Sequence, residues 1–151
     1  YKDQEEEAVT RLSRVGYDNT LGFLKGGFDA WKQSGKDVET ANRVTVEQVV
    51  EKFEKKELPL IIDVRKKSEF DSEHLIDAVN IPLNEINKHL AEIPKDKYFL
   101  LHCAGGYRSM IASSILKQRG WSNFADIAGG FDEMKETSLP KSDYVCPTTL
   151  L

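Results

Sequence analysis

The chain has 151 residues, of which 40% are hydrophobic and 30% charged, and this suits one globular domain, or one domain plus a fragment. Its net charge of −4 argues against a nucleic-acid partner, and no apolar run approaches the roughly 18 residues that span a membrane. We therefore expect neither nucleic acid nor a membrane as a partner. The two cysteines, Cys103 and Cys146, lie in different contexts, which favours unpaired thiols in a reducing, cytoplasmic setting.

The first 36 residues repeat a pattern found near the other end of the chain. The string Gly-Gly-Phe-Asp occurs at residues 26–29 and again at residues 129–132, and the residues around Gly16 resemble those around Gly120 in the same order. We therefore interpret residues 1–36 as the last helix, strand and helix of an upstream sister domain.

This interpretation sets the domain boundaries: residues 37–43 form a linker, residues 44–140 a complete domain and residues 141–151 a C-terminal tail. A lone helix, strand and helix cannot bury its own apolar side chains, each of which is worth roughly 1.5–3 kcal/mol when buried. We expect this segment to dock on the complete domain or on a second copy of the chain, which would give a homodimer. The side chains concerned are Leu12, Leu21, Phe23, Leu24, Phe28 and Trp31.

From Thr45 onward, helix and strand patterns alternate. Thr45 and Gln48 have the spacing of a helix-capping box, before apolar residues at helical spacing up to Phe53. In chain order we then predict a strand at 60–64, a helical turn at 66–70, a strand at 78–81, a helix at 84–90 begun by Asn84, a strand at 98–102, a helix at 108–119 with Ile111, Ala112, Ile115 and Leu116 inward, a strand at 124–127 and a helix at 131–136. This alternation predicts an α/β fold with a mostly parallel sheet and helices on both faces.

The loop after the third of these strands carries the chemistry. Cys103 directly follows the strand, Gly105 and Gly106 come next, and Arg108 and Ser109 begin a helix. Such a loop lies at the carboxyl end of a parallel strand, where open α/β sheets bind ligands. Inward-pointing backbone N–H groups, the helix N-terminus and the arginine all favour a thiolate, which is the nucleophilic form of cysteine.

Two other interpretations of this loop carry less weight. Cys103 could be a buried core residue, but it lies outside any apolar period. A glycine-rich loop could hold a nucleotide phosphate, but the sequence has neither of the spacings typical of such loops, G-x-G-x-x-G and G-x-x-x-x-G-K-[ST].

Five segments in order resemble the motifs of rhodanese domains. Residues 103–109 resemble the C-x-x-G-x-R-S active-site loop, 63–65 the D-x-R segment, 69–70 the E-[FY] pair, 74–82 the H-I-x-G-A-x-N-I-P segment and 129–131 the closing G-G-[FW] turn. The resemblance implies a five-stranded parallel sheet flanked by helices. It also implies a reaction in which the cysteine takes a sulfane sulfur from a thiosulfate- or persulfide-type donor and passes it to a thiol or cyanide acceptor.

Carried over to this sequence, the resemblance makes Cys103 and Arg108 the catalytic residues. The substrate-binding residues, acting mainly through their backbone N–H groups, would be Ala104, Gly105, Gly106, Tyr107 and Ser109. Asp63 and Arg65 would surround the site, either tuning the cysteine or, as we favour, forming a structural ion pair. Neither a cofactor nor a metal site is expected, because no Cys or acidic partner stands at metal-ligand spacing from the histidines.

The sequence departs from the family pattern at Glu73 and Asp77, where the family has glycines, but both lie away from the loop. Rhodanese-fold phosphatases are one alternative, although their loop is C-x5-R and residues 103–108 form C-x4-R. A sulfur-binding regulatory module of a larger hydrolase is another. Residues 5–31 also resemble bacterial fusions in which a metallo-β-lactamase-fold hydrolase precedes two rhodanese repeats.

Overall fold

The computed structural model describes residues 4–13 and 18–146. The chain divides into two compact units, Tyr1–Thr40 and Ala41–Leu151, which we call the N-terminal and C-terminal units. Across the described residues, no helix combines the length and the apolar character needed to cross a bilayer.

The N-terminal unit contains helix α1 (Glu5–Ser13) and helix α2 (Gly27–Gln33). The strand predicted between them is absent from residues 18–25, because a strand needs a neighbour to pair with and this unit supplies none in its described part. Phe28 is 62% exposed, whereas its repeat equivalent Phe131 is 4% exposed. Gly16, on which the repeat is aligned, and the side chain of Leu12 lie outside the described residues.

The C-terminal unit is built on one parallel sheet. Its strands are β1 (Arg43–Val44), β2 (Leu60–Asp63), β3 (Val79–Asn80), β4 (Phe99–His102) and β5 (Phe124–Ile127), in the order β1-β5-β4-β2-β3. The strand patterns predicted four of these five. The edge strand β1 is too short for a periodic signal, and it begins at Arg43, inside the segment assigned to a linker.

Three helices connect strands, namely α3 (Val46–Glu54), α4 (Lys67–Ser72) and α5 (Tyr107–Gln118), and a fourth, α6 (Gly130–Met134), follows the last strand. The predicted capping box is present, since the Thr45 hydroxyl accepts from the Gln48 N–H and the Gln48 side chain accepts from the Thr45 N–H. The predicted helix at 84–90 is wrong. Two 3₁₀ turns, Leu83–Glu85 and Leu90–Glu92, replace it, because their tighter winding brings side chains three residues apart onto the same core.

The core has two parts, one on each face of the sheet, because successive strand residues point to opposite faces. Phe99 and Leu101 of β4 pack with Ala112 and Leu116 of α5. Leu100, which lies between these two residues in β4, points to the opposite face of the sheet. There it packs with α3 and α6 through Val46, Val49, Phe131 and Met134. The predicted fold, an open parallel sheet with helices on both faces, is confirmed.

One residue on the predicted inward face of α5 is exposed. Ile111 is half-exposed, although the prediction placed it inward. The buried face of α5 instead runs through Ser109, Ala112, Ser113 and Leu116, at helical spacings of three and four residues. Two of these four buried residues are serines, so a prediction based only on the spacing of apolar residues assigns the wrong face of α5 to the core.

The beginning of the predicted tail is attached to the C-terminal unit. Lys141 forms an isolated antiparallel bridge with Leu75, and the Val145 N–H donates to the Ser72 carbonyl at 2.8 Å. Cys146 is exposed and forms no disulfide, and residues 147–151 lie outside the described part.

Candidate active site

The cysteine loop connects β4, the central strand, to α5. Cys103 is 1% exposed, and the Gly106 N–H donates a hydrogen bond to its Sγ at 3.1 Å. Gly106 has φ +97°, a conformation that glycine adopts at little cost, and it directly precedes the first turn of α5. The backbone therefore turns one N–H onto the sulfur and places the start of a helix beside it.

The start of α6 holds the other side of the loop. The Phe131 N–H donates to the Cys103 carbonyl at 2.8 Å, and the Asp132 N–H donates to the Ala104 carbonyl at 3.1 Å. A Cβ on Gly130 would lie 2.3 Å from the Ala104 carbonyl oxygen, so only glycine permits this approach. With these carbonyls bound to α6, the first residues of the loop are held in one orientation.

Arg108, the second predicted catalytic residue, forms a bidentate ion pair. Its Nη1 and Nη2 lie 2.5 and 2.8 Å from the two carboxylate oxygens of Glu69, the third residue of α4. The Arg108 hydrogen bond lowers the pKa of Glu69, and the pair raises the pKa of Arg108, to which the nearby Cys103 thiol also contributes. The first turn of α5 is therefore tied to α4 through Arg108 and Glu69, a role that the sequence analysis did not assign to Glu69.

The remaining loop residues differ in exposure. Tyr107 is 80% exposed, whereas Ser109 is buried and its hydroxyl donates to the Gly106 carbonyl at 3.1 Å. The Ser109 side chain therefore stabilises the loop, and the anion-binding role of its backbone N–H, in the first turn of α5, stays a prediction. Gly105 lines a groove on the surface next to Tyr107.

Asp63 and Arg65 form a buried ion pair at the end of β2. The Asp63 carboxylate accepts from the Arg65 Nε at 2.8 Å and from the Arg65 backbone N–H at 2.9 Å. Arg65 also donates to the Glu73 carbonyl, and its guanidinium lies 3.9 Å from the centre of the Phe131 ring. Within the described residues no hydrogen bond or ion pair joins this pair to Cys103, and its contacts are those of a structural pair that ties β2 to α6.

His102 directly precedes the cysteine and is fully buried. Its Nδ1 lies 3.1 Å from the Cys103 carbonyl oxygen, and its Nε2 is 3.8 Å from Asp63. Burial lowers the pKa of His102, so the imidazole is neutral near pH 7. Its contacts are with the backbone of the cysteine and not with the thiol.

A second arginine beside the loop escaped the sequence analysis. Arg43 and Asp126 are direct partners in the β1–β5 register, and the Arg43 Nε donates to the buried Asp126 carboxylate at 3.0 Å. Its Nη2 lies 3.5 Å from the position that a Cβ on Gly106 would occupy. Only the strand register brings residues 43 and 126 together, so no local pattern could have predicted the pair.

Comparisons with known proteins agree with this geometry. The sequence profile of the Rhodanese-like domain matches residues 45–137. The chain is 34% identical over 98 residues to the adenylyltransferase and sulfurtransferase uba4 of Ogataea parapolymorpha, covering 64% of this chain but only 24% of that protein. It is 28% identical over 99 residues to a sulfurtransferase of Allochromatium vinosum, covering 66% of this chain and 92% of that protein.

The fold has close counterparts among solved structures. The crystal structure of a rhodanese-related protein from Thermoplasma volcanium superimposes with a TM-score of 0.60 at 26% identity, covering 67% of this chain and 97% of that one. The sequence profile covers well over half of the chain, and the sheet, the helices and the cysteine loop stand in the order that the resemblance implies. The chain belongs to the rhodanese-like domain family.

Proposed function

We propose that the C-terminal unit is a sulfurtransferase that carries a sulfane sulfur on Cys103. The observation that carries this proposal is the environment of the Cys103 sulfur, which accepts the Gly106 N–H at the start of α5, the helix whose second residue is Arg108. A backbone donor and a positive charge near the loop stabilise the negative charge of a persulfide as well as that of an attacking sulfur. Relatives named as sulfurtransferases support the same reaction class.

The reaction has two displacement steps. In the first, the Cys103 thiolate attacks the outer sulfur of the donor; with thiosulfate, a new S–S bond forms to Cys103, the donor S–S bond breaks, and sulfite leaves with the electron pair. In the second, a nucleophile such as cyanide or a thiol attacks the outer sulfur of the persulfide. Thiocyanate or a new persulfide leaves, and the Cys103 thiolate is restored. No external oxidant or reductant is needed.

The length of the cysteine loop fits the transfer of a single sulfur atom better than the transfer of a phosphate group. Between Cys103 and Arg108 there are four residues, one fewer than in the C-x5-R loop of rhodanese-fold phosphatases. The shorter loop favours sulfur over a phosphate group. The regulatory-module alternative retains a loaded Cys103 without onward transfer, and turnover with an acceptor distinguishes it from the enzyme.

The test is the Cys103→Ser variant of the full chain. We expect wild-type protein to gain one sulfur atom on Cys103 with thiosulfate or an organic persulfide, by intact-protein mass spectrometry, and to form thiocyanate with cyanide. The Ser variant should do neither, because a hydroxyl is a poor nucleophile at neutral pH. Cys146→Ser, at the exposed second cysteine, is the matched control and should load normally.

The outcome that would refute the sulfurtransferase is specific. Aryl phosphate hydrolysis that depends on Cys103, without sulfur transfer, would favour the phosphatase. Loading without any acceptor turnover would favour the regulatory module. The predicted fusion to a metallo-β-lactamase-fold hydrolase and the cytoplasmic setting remain predictions. The resemblance of residues 5–31 supports the first, and the lack of a disulfide between Cys103 and Cys146 supports the second.

A further inference from the structure

Two arginines lie beside the cysteine loop, and they differ in the hydrogen-bonding groups that remain available. Arg108 has both terminal nitrogens bound to Glu69. Arg43 uses its Nε for Asp126, and neither of its terminal nitrogens makes a hydrogen bond within the described residues. Arg43 therefore presents four N–H donors in a planar fork, the arrangement that binds carboxylates.

The ion pair with Asp126 fixes the position of the Arg43 guanidinium. Asp126 is fully buried, and burial raises its pKa, while the charge and the hydrogen bond of Arg43 oppose this shift. The side chain of Arg43 is 47% exposed, so the guanidinium is anchored at one edge and open at the other. An anchored arginine loses less conformational entropy on binding a ligand than a free one does.

The surface around Arg43 forms a groove that leads to the cysteine loop. The same residue, Gly106, has its N–H on the Cys103 sulfur and its α-carbon beside the Arg43 guanidinium. The groove has one basic side chain and an otherwise apolar or neutral wall. Its lining is Arg43, Gly105, Gly106, Tyr107, Met110, Ile111 and Ser114.

The half-exposed side chains of Met110 and Ile111 form part of the wall of this groove. Both lie on the outward side of α5, and with Tyr107 they give the groove an apolar wall that a small inorganic anion such as thiosulfate would not use. A ligand that matches the groove has an organic body, a carboxylate for Arg43 and a sulfur for Cys103.

We propose that this groove is a subsite for the carboxylate of an organic persulfide donor, with Arg43 as the residue that selects it. The proposal rests on the proposed sulfurtransferase function. In the loading step, the Cys103 thiolate attacks the outer sulfur of R–S–SH; the S–S bond to the inner sulfur breaks, and R–S⁻ leaves with the electron pair. Arg43 takes no part in bond making and holds the carboxylate of R.

The experiment compares donors that differ only in this carboxylate. The persulfides of 3-mercaptopropionate and 6-mercaptohexanoate are each paired with the corresponding amide, and Cys103 loading of the full chain is followed by rapid-quench mass spectrometry. For wild-type protein we expect at least one acid to load about tenfold faster than its amide, the effect of a charge-assisted hydrogen-bonded pair. In Arg43→Gln the ratio of acid to amide should fall towards one.

Two further variants keep the test decisive. Arg43→Gln leaves Asp126 buried without a partner and could unfold the domain, so the double variant Arg43→Gln/Asp126→Asn, which removes both charges, is measured beside it. Arg119→Gln, which removes a positive charge beyond the C-terminal end of α5, is the matched control and should keep the wild-type ratio. Equal loading of acids and amides by wild-type protein would overturn the proposal while leaving the sulfurtransferase intact.

A binding measurement separates the subsite from the chemistry. The S-methyl thioethers of the same acids and amides cannot transfer sulfur, and their affinity for Cys103→Ser is measured by titration of backbone amide NMR signals. Acid-selective binding that Arg43→Gln abolishes supports the subsite even if no donor loads Cys103. Absence of acid selectivity overturns it, whatever the outcome of the transfer assay.

Discussion

Each arginine beside the cysteine loop is paired with a carboxylate, and the two pairs act on different groups. Arg108 is the second residue of α5, directly after the cysteine loop, and Glu69 of α4 holds it there. Arg43 and Asp126 lie at the groove, where Arg43 approaches Gly106. We therefore expect substitutions of the first pair to change the reactivity of the thiol and those of the second to change donor selection.

The first residue-scale prediction uses both members of the Arg108 pair. Arg108→Ala should slow both iodoacetamide alkylation and sulfur loading of Cys103 at a fixed pH, because a positive charge at the start of α5 stabilises negative charge on the attacking sulfur. Glu69→Gln should speed both reactions, because it removes a competing negative charge. If both variants changed the rates in the same direction, the pair would act through loop structure and not through charge.

The second concerns the stability that the Arg108–Glu69 pair provides. The pKa of Glu69 is lowered in the folded protein from its ordinary 4.5, so the pair stabilises the fold above that pH, and this contribution is lost as pH falls through the lowered value. Both side chains are partly exposed, so we expect Glu69→Gln to destabilise the fold by roughly 0.5–1 kcal/mol at pH 7. Urea unfolding at pH 7 and at pH 3 should show this difference shrinking at the lower pH; a constant difference would contradict the assignment.

At the scale of elements, the site depends on how closely α6 approaches the loop after β4. The amide groups at the start of α6 bind the carbonyls of Cys103 and Ala104. Gly130 stands at the point of closest approach, where an added Cβ would meet both carbonyl oxygens. The loop that holds Cys103 is therefore shaped by a helix that begins 27 residues later in the chain.

We expect Gly130→Ala to disrupt both folding and sulfur loading, and Gly120→Ala to be milder. Both glycines have positive φ, +58° and +90°, but a Cβ on Gly120 meets nothing within 4 Å. Conformational strain of about 1–2 kcal/mol applies to both, whereas the clash applies to Gly130 alone. Thermal unfolding and Cys103 loading are measured for each variant. Equal effects, or a greater loss in Gly120→Ala, would show that α6 does not constrain the loop.

At the scale of the whole molecule, the chain has two units with different proportions of buried apolar residues. In the C-terminal unit the sheet buries apolar side chains on both faces. In the described part of the N-terminal unit, several large apolar side chains are exposed, namely Leu21, Phe23, Leu24, Phe28 and Trp31. An apolar surface of this kind is typical of an interaction site.

The corresponding prediction is a homodimer through the N-terminal unit. Light scattering of the full chain should give the mass of two copies, and deletion of residues 1–40 should give the mass of one, with Cys103 loading retained because the active site lies in residues 41–151. The full-length variant Leu24→Ser/Phe28→Ser should also be monomeric. A dimer that survives both changes would exclude this surface as the interface.

Local patterns in the sequence were sufficient for four strands, for most of the helices and for the cysteine loop. An apolar run such as residues 98–102 is typical of a strand that is buried on both faces of a parallel sheet. The Thr45–Gln48 capping box depends only on residues three positions apart in the chain. The position of the cysteine loop could also be predicted in this way, because a cysteine followed by glycines between a strand and a helix is a local arrangement.

Only the tertiary structure determined the partners of the charged residues around the cysteine loop. Arg108 meets Glu69 across 39 positions, and Arg43 meets Asp126 across 83, because the strand order and register bring distant segments together. The exposure of Ile111 and the 3₁₀ turns in place of a helix likewise follow from packing. Periodicity reports how a segment can fold, whereas the neighbours that a side chain meets depend on every other segment of the domain.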